Sequence, residues 1–221
     1  MQSHFTFCLF NLHFSDDDAT MIKKIVQYID EELSSRMPID YGNVVGMGPH
    51  EKKLLPLLNI DSEKDVRVIG IWGMGGIGKT TIVDYLFNRY SRRFPARCLM
   101  RNVSKDSKYR NLLYLQKEFI SKTLPIRKCK FEHSTVEEGR QVIESRFGHQ
   151  RVFVILDGVD AINQIQAVAK KTSMFGPGSR IIITARDRKL LKNYGIREDD
   201  LYELWAHASL ERPRFLSGKL N

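Results

Sequence analysis

The chain has 221 residues, of which 42% are apolar, enough to bury one substantial core or one domain with flanking segments. Its three cysteines include no CxxC pair and its six histidines no HExxH spacing, which argues against a zinc site and for a reducing compartment. The formal net charge is +9, and no run approaches 18 consecutive apolar residues, so no membrane span is predicted.

The first predicted elements precede a buried strand. Residues 1–18 contain an apolar run but lack the basic start and cleavage site of a signal peptide, so we expect a disordered extension. Apolar residues at helical spacing predict an amphipathic helix over 19–33, and Pro38 follows its end. A turn-rich loop and a second short helix, 51–58, then lead to a strand over 66–72.

The residues after this strand fit the phosphate-binding pattern G-x-x-x-x-G-K-[ST], the P-loop. The loop consists of Gly73, Met74, Gly75, Gly76, Ile77, Gly78, Lys79, Thr80 and Thr81. Its glycines allow several backbone N–H groups to point into one concavity, and the helix that follows adds the positive end of its dipole. Lys79 can then reach the β- and γ-phosphates of a nucleotide, and the Thr80 hydroxyl can ligate Mg²⁺.

The same glycines also spell G-x-G-x-x-G, the fingerprint of dinucleotide-binding proteins. That fingerprint needs an acidic residue about 20 positions downstream to hold a ribose hydroxyl. The segment 92–97 contains three arginines and no acid. The pattern therefore favours a P-loop over a dinucleotide oxidoreductase.

Strands and helices alternate in the rest of the chain. Strands are predicted over 97–103, 151–157, 179–185 and, more weakly, 200–204, with helices over 111–124 and 136–147. Near-continuous apolar runs such as 152–156 are typical of strands buried on both faces of a parallel sheet. The alternation predicts an α/β layered domain.

Two later residues have side chains suited to this chemistry. Asp157 ends an apolar strand, and in P-loop proteins a carboxylate at this place helps to hold Mg²⁺; alone it could equally begin a turn. Arg186 follows the next strand, where it could contact a γ-phosphate. It could equally start a helix and pair with Asp187, and the residues alone do not separate these alternatives.

The positive charge is concentrated in residues 89–130. This segment holds 13 Lys/Arg and two acids, a net +11 in a chain whose total is +9. Such a segment could bind nucleic acid or an anionic membrane surface, or it could form a solvated helical face. Because no nucleic-acid-binding motif accompanies the charge, the solvated face is favoured.

Three ordered motifs, GMGGIGKTT, VFVILDGVD and FGPGSRIIITARD, resemble the nucleotide-binding (NB-ARC) domain of plant disease-resistance proteins. The segment 98–104 is similar to that of the subgroup with an N-terminal TIR domain, and the whole resemblance covers roughly 20–205. It implies a P-loop NTPase fold of the NB-ARC/STAND type, with a five-stranded parallel sheet sandwiched by helices. It also implies an extension (1–18), a helical approach segment (19–60), the nucleotide-binding domain (61–205) and a divergent tail (206–221).

The resemblance implies ADP/ATP and Mg²⁺ as cofactors. Residues 73–81 would cradle the phosphates, Val45 and Gly46 would line the adenine pocket, Thr80 and Asp157 would hold the magnesium, and Arg186 would contact the terminal phosphate. The family usually has a second acid where this chain has Gly158. Asp160 is near in sequence, but the sequence gives no reason to expect it to substitute, so we expect slow or no hydrolysis.

The predicted function is therefore that of an ADP/ATP-binding module in a plant immune receptor, part of a nucleotide-dependent switch in defence signalling. We expect a truncated member of the family, cytoplasmic or nuclear, with other immune-receptor proteins as partners. The alternative is a non-catalytic adaptor that pairs with resistance proteins or, less favoured, nucleic acid through the 89–130 surface. A small-molecule kinase is disfavoured because no acceptor site is evident.

Overall fold

Strands and helices alternate along the part of the chain that the computed structural model describes, residues 46–123 and 134–205. The helices are α1 (Met47–Leu58), α2 (Lys79–Tyr90), α3 (Val103–Thr123), α4 (Val136–Phe147), α5 (Ile162–Val168) and α6 (Arg188–Tyr194). The strands are β1 (Arg67–Trp72), β2 (Ala96–Met100), β3 (Val152–Val159), β4 (Arg180–Ala185) and β5 (Leu201–Glu203). Short 3-10 turns occur at Ser91–Arg93, Thr172–Met174 and Glu198–Asp200. The predicted helix over 19–33, the extension 1–18, Val45 and the tail 206–221 lie outside the described residues.

The five strands form one parallel sheet in the order β2-β3-β4-β1-β5. β1 pairs with β4 on one side and β5 on the other, and Trp72 lies beside Ala185 of β4 and Glu203 of β5. Because all strands run in one direction, the carboxyl ends of β1, β3 and β4 meet at one edge, where open parallel sheets bind ligands. The predicted five-stranded parallel sheet and its P-loop NTPase fold are confirmed.

Side chains alternate along the strands between two apolar cores, one on each face of the sheet. On β3, Val152, Val154 and Leu156 join the core beneath α3 to α6, and Phe153 and Ile155 join the core beneath α1 and α2. All five are fully buried. Helices therefore cover both faces, which explains the continuous apolar runs in the sequence. The approach helix α1 belongs to the second of these cores.

The longest described helix, α3, has 21 residues and is broken at Asn111, whose φ of 71° and ψ of 175° are not helical. The Asn111 side chain accepts a hydrogen bond of 3.1 Å from the backbone N–H of Tyr114, so it caps the second segment. That segment begins where the sequence predicts a helix. In the described ranges, neither α3 nor any other helix is long and apolar enough to cross a membrane.

The predicted end of the strand over 97–103 and the predicted start of the helix over 111–124 were both wrong. β2 ends at Met100, because Asn102 has a φ of 56° that leaves the strand conformation. The chain then enters α3 at Val103, eight residues before the predicted helix start. Val103 is the only residue of 103–110 that is buried, so this first segment lacks the apolar periodicity on which the prediction depends.

A fully buried arginine, Arg180, fastens the connection between α1 and β1. Its guanidinium donates hydrogen bonds to the backbone carbonyls of Leu58, Asn59, Ser62, Asp65 and Ser179. A buried cation is tolerated only when its donors are paired, and these carbonyls provide the partners. Arg180 begins β4 and so lies at the sheet edge opposite the P-loop, where its role is structural.

Candidate functional site

The P-loop joins the carboxyl end of β1 to the amino end of α2. Gly78 lies immediately before α2 and has a φ of 102°, which directs the chain into the helix. Residues with a Cβ rarely adopt this backbone conformation. The helix that the sequence predicts after the loop is α2, which begins at Lys79. Met74 is 78% exposed and Thr81 is exposed, while Ile77 packs against the apolar core beneath α1 and α2. Gly75 and Gly76 are also exposed, so the middle of the loop presents its backbone to solvent at the carboxyl edge of the sheet.

Lys79 is 9% exposed and folds back over the loop. Its Nζ donates hydrogen bonds to the carbonyl oxygens of Gly73 at 2.7 Å and Met74 at 2.6 Å. Burial lowers the pKa of Lys79, the positive charge of Arg186 lowers it further, and the carboxylate of Asp157 opposes both. A partly desolvated ammonium in this position is suited to binding an anion.

The carboxylate of Asp157 connects the P-loop to β4. Oδ2 accepts a hydrogen bond of 2.8 Å from the Thr80 hydroxyl, and Oδ1 accepts one of 2.6 Å from the Thr184 hydroxyl. Asp157 is 5% exposed. The structure therefore brings together Thr80 and Asp157, the two residues predicted to hold magnesium, although they are 77 positions apart.

Thr184 is a site residue that the local sequence pattern does not indicate. It is fully buried, and its hydroxyl oxygen also accepts a hydrogen bond of 2.8 Å from the backbone N–H of Gly158. The only signal in the sequence is the alternation along β4, which places Thr184 on the same face as Ile182, toward α1 and α2. Its hydrogen bond to Asp157 requires β3 to be the strand next to β4, and this neighbourhood is a property of the fold.

Arg186 lies directly over the P-loop. Its guanidinium carbon is 3.3 Å from the position that a Cβ on Gly75 would occupy. Asp187, the alternative partner, caps α6 instead, its carboxylate accepting a hydrogen bond of 2.8 Å from the backbone N–H of Lys189. The arginine therefore shares the loop with Lys79, and its exposed side chain leaves it accessible to a ligand.

The two positions considered for a second acid are both committed to structure. Gly158 has a φ of 77° and lies in the irregular stretch where the pairing of β3 with β4 shifts register. The carboxylate of Asp160 contacts Lys108 Nζ at 3.0 Å and accepts a hydrogen bond of 2.6 Å from the Gln164 amide. Burial raises the pKa of Asp160, but the hydrogen bonds from Lys108 and Gln164 outweigh it and hold the pKa below its usual value.

The approach segment reaches the P-loop helix through Glu51 of α1. Its carboxylate accepts a hydrogen bond of 2.9 Å from the Tyr85 hydroxyl, contacts the Tyr90 hydroxyl, and lies 2.7 Å from Arg89 Nε. Gly46, predicted to line an adenine pocket, is exposed and directly precedes α1. Val45, predicted with it, lies outside the described residues.

The side chains around the loop fit a magnesium–nucleotide complex by their chemistry. Thr80 and Asp157 offer hydroxyl and carboxylate oxygens, the donors that Mg²⁺ prefers, and Lys79 and Arg186 offer positive charge to phosphates. Among the described residues, no group of three or more His, Cys, Asp or Glu side chains could hold a metal alone. Magnesium bound by one or two protein side chains plus phosphates needs no such group.

The basic segment is partly neutralised by acids, four from other parts of the fold and one, Glu118, from the segment itself. Ion pairs involve the cations of Arg89, Arg93, Arg101, Lys108 and Lys122. These cations are distributed over α2, the turn after it, the loop that follows β2, and α3. This distribution favours a solvated, paired surface over a continuous nucleic-acid interface.

The fold and the loop define a P-loop NTPase domain. The model of the NB-ARC domain family matches residues 50–205, and the chain belongs to this family. Probable disease resistance protein RPP1 of Arabidopsis thaliana is 38% identical over 85% of the chain, which covers 16% of that protein. Disease resistance protein RPV1 of Vitis rotundifolia is 33% identical over 87% of the chain, which covers 14% of it. The chain thus spans less than a fifth of these relatives' length.

Among solved structures, Cdc6p of Pyrobaculum aerophilum is similar to the chain with a TM-score of 0.55. The alignment covers 77% of this chain and 48% of Cdc6p, at 17% sequence identity. At this identity the likeness concerns the fold alone.

Proposed function

We propose that this chain binds ADP or ATP with Mg²⁺ at its P-loop and serves as the nucleotide-binding part of a switch in plant defence signalling. The observation that carries the proposal is the meeting of four side chains around one loop. Lys79 and Arg186 bring positive charge, and Thr80 and Asp157 bring oxygen ligands, from three separate places in the sequence. A structural role alone gives no reason for two cations to share a loop with exposed backbone.

Each residue has a distinct part in this proposal. The backbone N–H groups of residues 73–81 and the amino end of α2 would bind phosphate oxygens. Lys79 would exchange its bonds to loop carbonyls for bonds to the β- and γ-phosphates, and Arg186 would contact the terminal phosphate. Bound magnesium neutralises phosphate charge, and Thr80 and Asp157 would hold it. Val45 and Gly46 would line the adenine pocket.

We further propose that hydrolysis is slow or absent. Attack on the γ-phosphate needs a group that positions water or takes its proton. Gly158 has no side chain for this task, and Asp160 is held by Lys108 and Gln164. Binding does not need this group, so the geometry supports a nucleotide-holding module over an efficient ATPase.

The immune context of the proposal comes from the relatives, whose names describe disease resistance proteins. In this context the exchange of ADP for ATP would change how the domain associates with other immune-receptor proteins, in the cytoplasm or the nucleus. The paired cations of residues 89–130 give the nucleic-acid alternative no specific support.

Titration of the full chain with a fluorescent ATP analogue in Mg²⁺ tests nucleotide binding. Lys79→Ala should weaken binding roughly tenfold or more, because a hydrogen bond to a charged group contributes about 1.5–3 kcal/mol. Lys64→Ala removes an exposed lysine before β1 and serves as the matched control. Mg·ADP should also raise the melting temperature of the wild type by linkage. Equal affinity of the wild type and Lys79→Ala would refute the proposal.

A further inference from the structure

We infer that Thr184 is a positioning residue that orients the Asp157 carboxylate for magnesium. This inference rests on the proposed function and names a residue of the metal site beyond the P-loop and the acid. Thr184 would not contact the metal itself. It would act through Asp157, to which its hydroxyl is bonded at 2.6 Å.

The direction of this hydrogen bond follows from the partners of the Thr184 hydroxyl. A hydroxyl has one proton to donate and lone pairs to accept with. The backbone N–H of Gly158 can only donate, and it lies 2.8 Å from Thr184 Oγ1. That contact uses a lone pair and leaves the proton for Asp157 Oδ1. The backbone of β3 thus fixes the hydroxyl, and the hydroxyl in turn holds the carboxylate.

The arrangement is built by the sheet and is shielded from solvent. Along β3, Asp157 lies on the same face as Phe153 and Ile155, and along β4, Thr184 lies on the same face as Ile182. Both side chains therefore face α1 and α2. The irregular pairing after Leu156 lets the Gly158 N–H point at a side chain instead of a ladder carbonyl. Because Thr184 is fully buried, water cannot replace either of its bonds.

The orientation matters because Mg²⁺ requires near-octahedral geometry and is sensitive to ligand direction. With Oδ1 fixed by Thr184, Oδ2 is presented to Thr80, the other predicted ligand, at 2.8 Å. Loss of a partner that orients a metal ligand typically costs 10–100-fold in metal affinity. A threonine that only stabilised the register shift would not produce such a metal-specific effect.

The test compares ADP affinity of the full chain in Mg²⁺ and in EDTA, together with melting in the absence of nucleotide. Thr184→Val keeps the shape but removes the donor and the acceptor. We expect it to reduce the ratio of the two affinities about tenfold or more, toward that of Asp157→Asn. Thr184→Ser keeps the hydroxyl and should keep the wild-type ratio. Thr123→Val removes a buried threonine hydroxyl bonded to the Phe119 carbonyl and is the matched control.

The outcomes separate this inference from the proposed function. If the wild type binds no nucleotide, both are refuted. If Thr184→Val melts earlier but keeps the wild-type ratio, Thr184 is only structural and this inference alone is refuted. If the valine variant does not fold, Thr184→Cys replaces it in the comparison. Because its S–H is a weak donor, the cysteine variant should reduce the ratio of the two affinities, by less than loss of the donor would. In a double-mutant cycle, adding Thr184→Val to Asp157→Asn should reduce the ratio no further.

Discussion

The guanidinium of Arg186 lies over Gly75, its carbon 3.3 Å from the place where a Cβ atom on that glycine would be. The P-loop glycine thus creates the space that the arginine occupies. No positive φ is required at Gly75, so the absence of a side chain there serves this contact and not an unusual backbone. The contact gives a way to displace Arg186 without removing its charge.

Gly75→Ala should weaken ATP binding several-fold more than ADP binding. The new methyl group would displace the guanidinium by a few tenths of an ångström, and only ATP offers the terminal phosphate that we propose Arg186 contacts. Because the displaced atoms are the end of an exposed side chain, the free energy of unfolding should change by only about 0.5 kcal/mol. Parallel titrations with ADP and ATP measure the effect.

Gly48→Ala is the control for this substitution. A Cβ at Gly48 meets nothing within 4 Å, and the residue lies in α1, where alanine has the better helix propensity. It should leave the ADP-to-ATP preference unchanged. If Gly75→Ala also leaves the ADP-to-ATP preference unchanged, the proposed contact of Arg186 with the terminal phosphate is refuted.

The sequence predicts the parts of the site that depend on local pattern. Lys79 and Thr80 follow from the loop motif, and Asp157 from the end of an apolar strand. Arg186 could not be distinguished from a helix-start arginine, because its position over Gly75 depends on β4 lying beside β1. Thr184 is missed for the same reason: its bond to Asp157 requires β3 and β4 to be neighbours. Contacts across the sheet need the strand order, which no local pattern encodes.

The fold shows the same division. The helix at 136–147 is predicted with the bounds that the structure has, because Thr135 and Glu138 form a capping box and the apolar spacing is regular. The five parallel strands follow from their apolar runs. By contrast, the first segment of α3 is polar, so only its position beside the end of β2 explains it.

Arg180→Met should destabilise the domain by about 3–5 kcal/mol, the usual cost of disrupting a buried charged network. The five backbone carbonyls would lose the guanidinium as a donor, and the loop between α1 and β1 would lose its anchor. The carbonyls of Asn59, Asp65 and Ser179 would keep a backbone N–H partner. Thermal and urea unfolding measure the change. Arg92→Met, at an exposed arginine, should stay within about 0.5 kcal/mol. A similar small effect at Arg180 would contradict the anchoring role.

The contact of Glu51 with α2 should make stability depend on pH in the acid range. Burial raises the pKa of Glu51, but hydrogen bonds from Tyr90 and Tyr85 and the charge of Arg89 outweigh it and leave the pKa below its ordinary value of 4.5. A carboxylate with a lowered pKa stabilises the folded state above its unfolded pKa, and this stabilisation is lost as the pH falls through the folded pKa.

The wild type should therefore melt above Glu51→Gln at neutral pH, and the difference should shrink as the pH falls below about 4.5. Melting curves of both proteins across this range test the expectation. Glu144→Gln changes an exposed glutamate of α4 and should show no such convergence. A difference between wild type and Glu51→Gln that stays constant down to acid pH would rule out the proposed linkage.

Gly158→Asp tests whether the missing second acid limits hydrolysis. A Cβ at this position would have room, its nearest neighbour being the Asn102 Cα at 3.9 Å. The φ of 77°, however, strains any residue with a side chain, at a cost of roughly 1–2 kcal/mol. We expect Gly158→Asp to melt earlier than the wild type and yet to release phosphate from ATP faster.

Gly158→Ala separates the two effects, because it introduces the same backbone strain without a carboxylate. Both variants should lose stability through the backbone strain at φ 77°, and only the aspartate should increase phosphate release. The new carboxylate would lie one residue from Asp157, so repulsion should add to the cost in the aspartate variant alone, and Mg²⁺ should reduce that added cost. If neither variant hydrolyses ATP faster than the wild type, the lack of an acid at position 158 is not what limits the reaction.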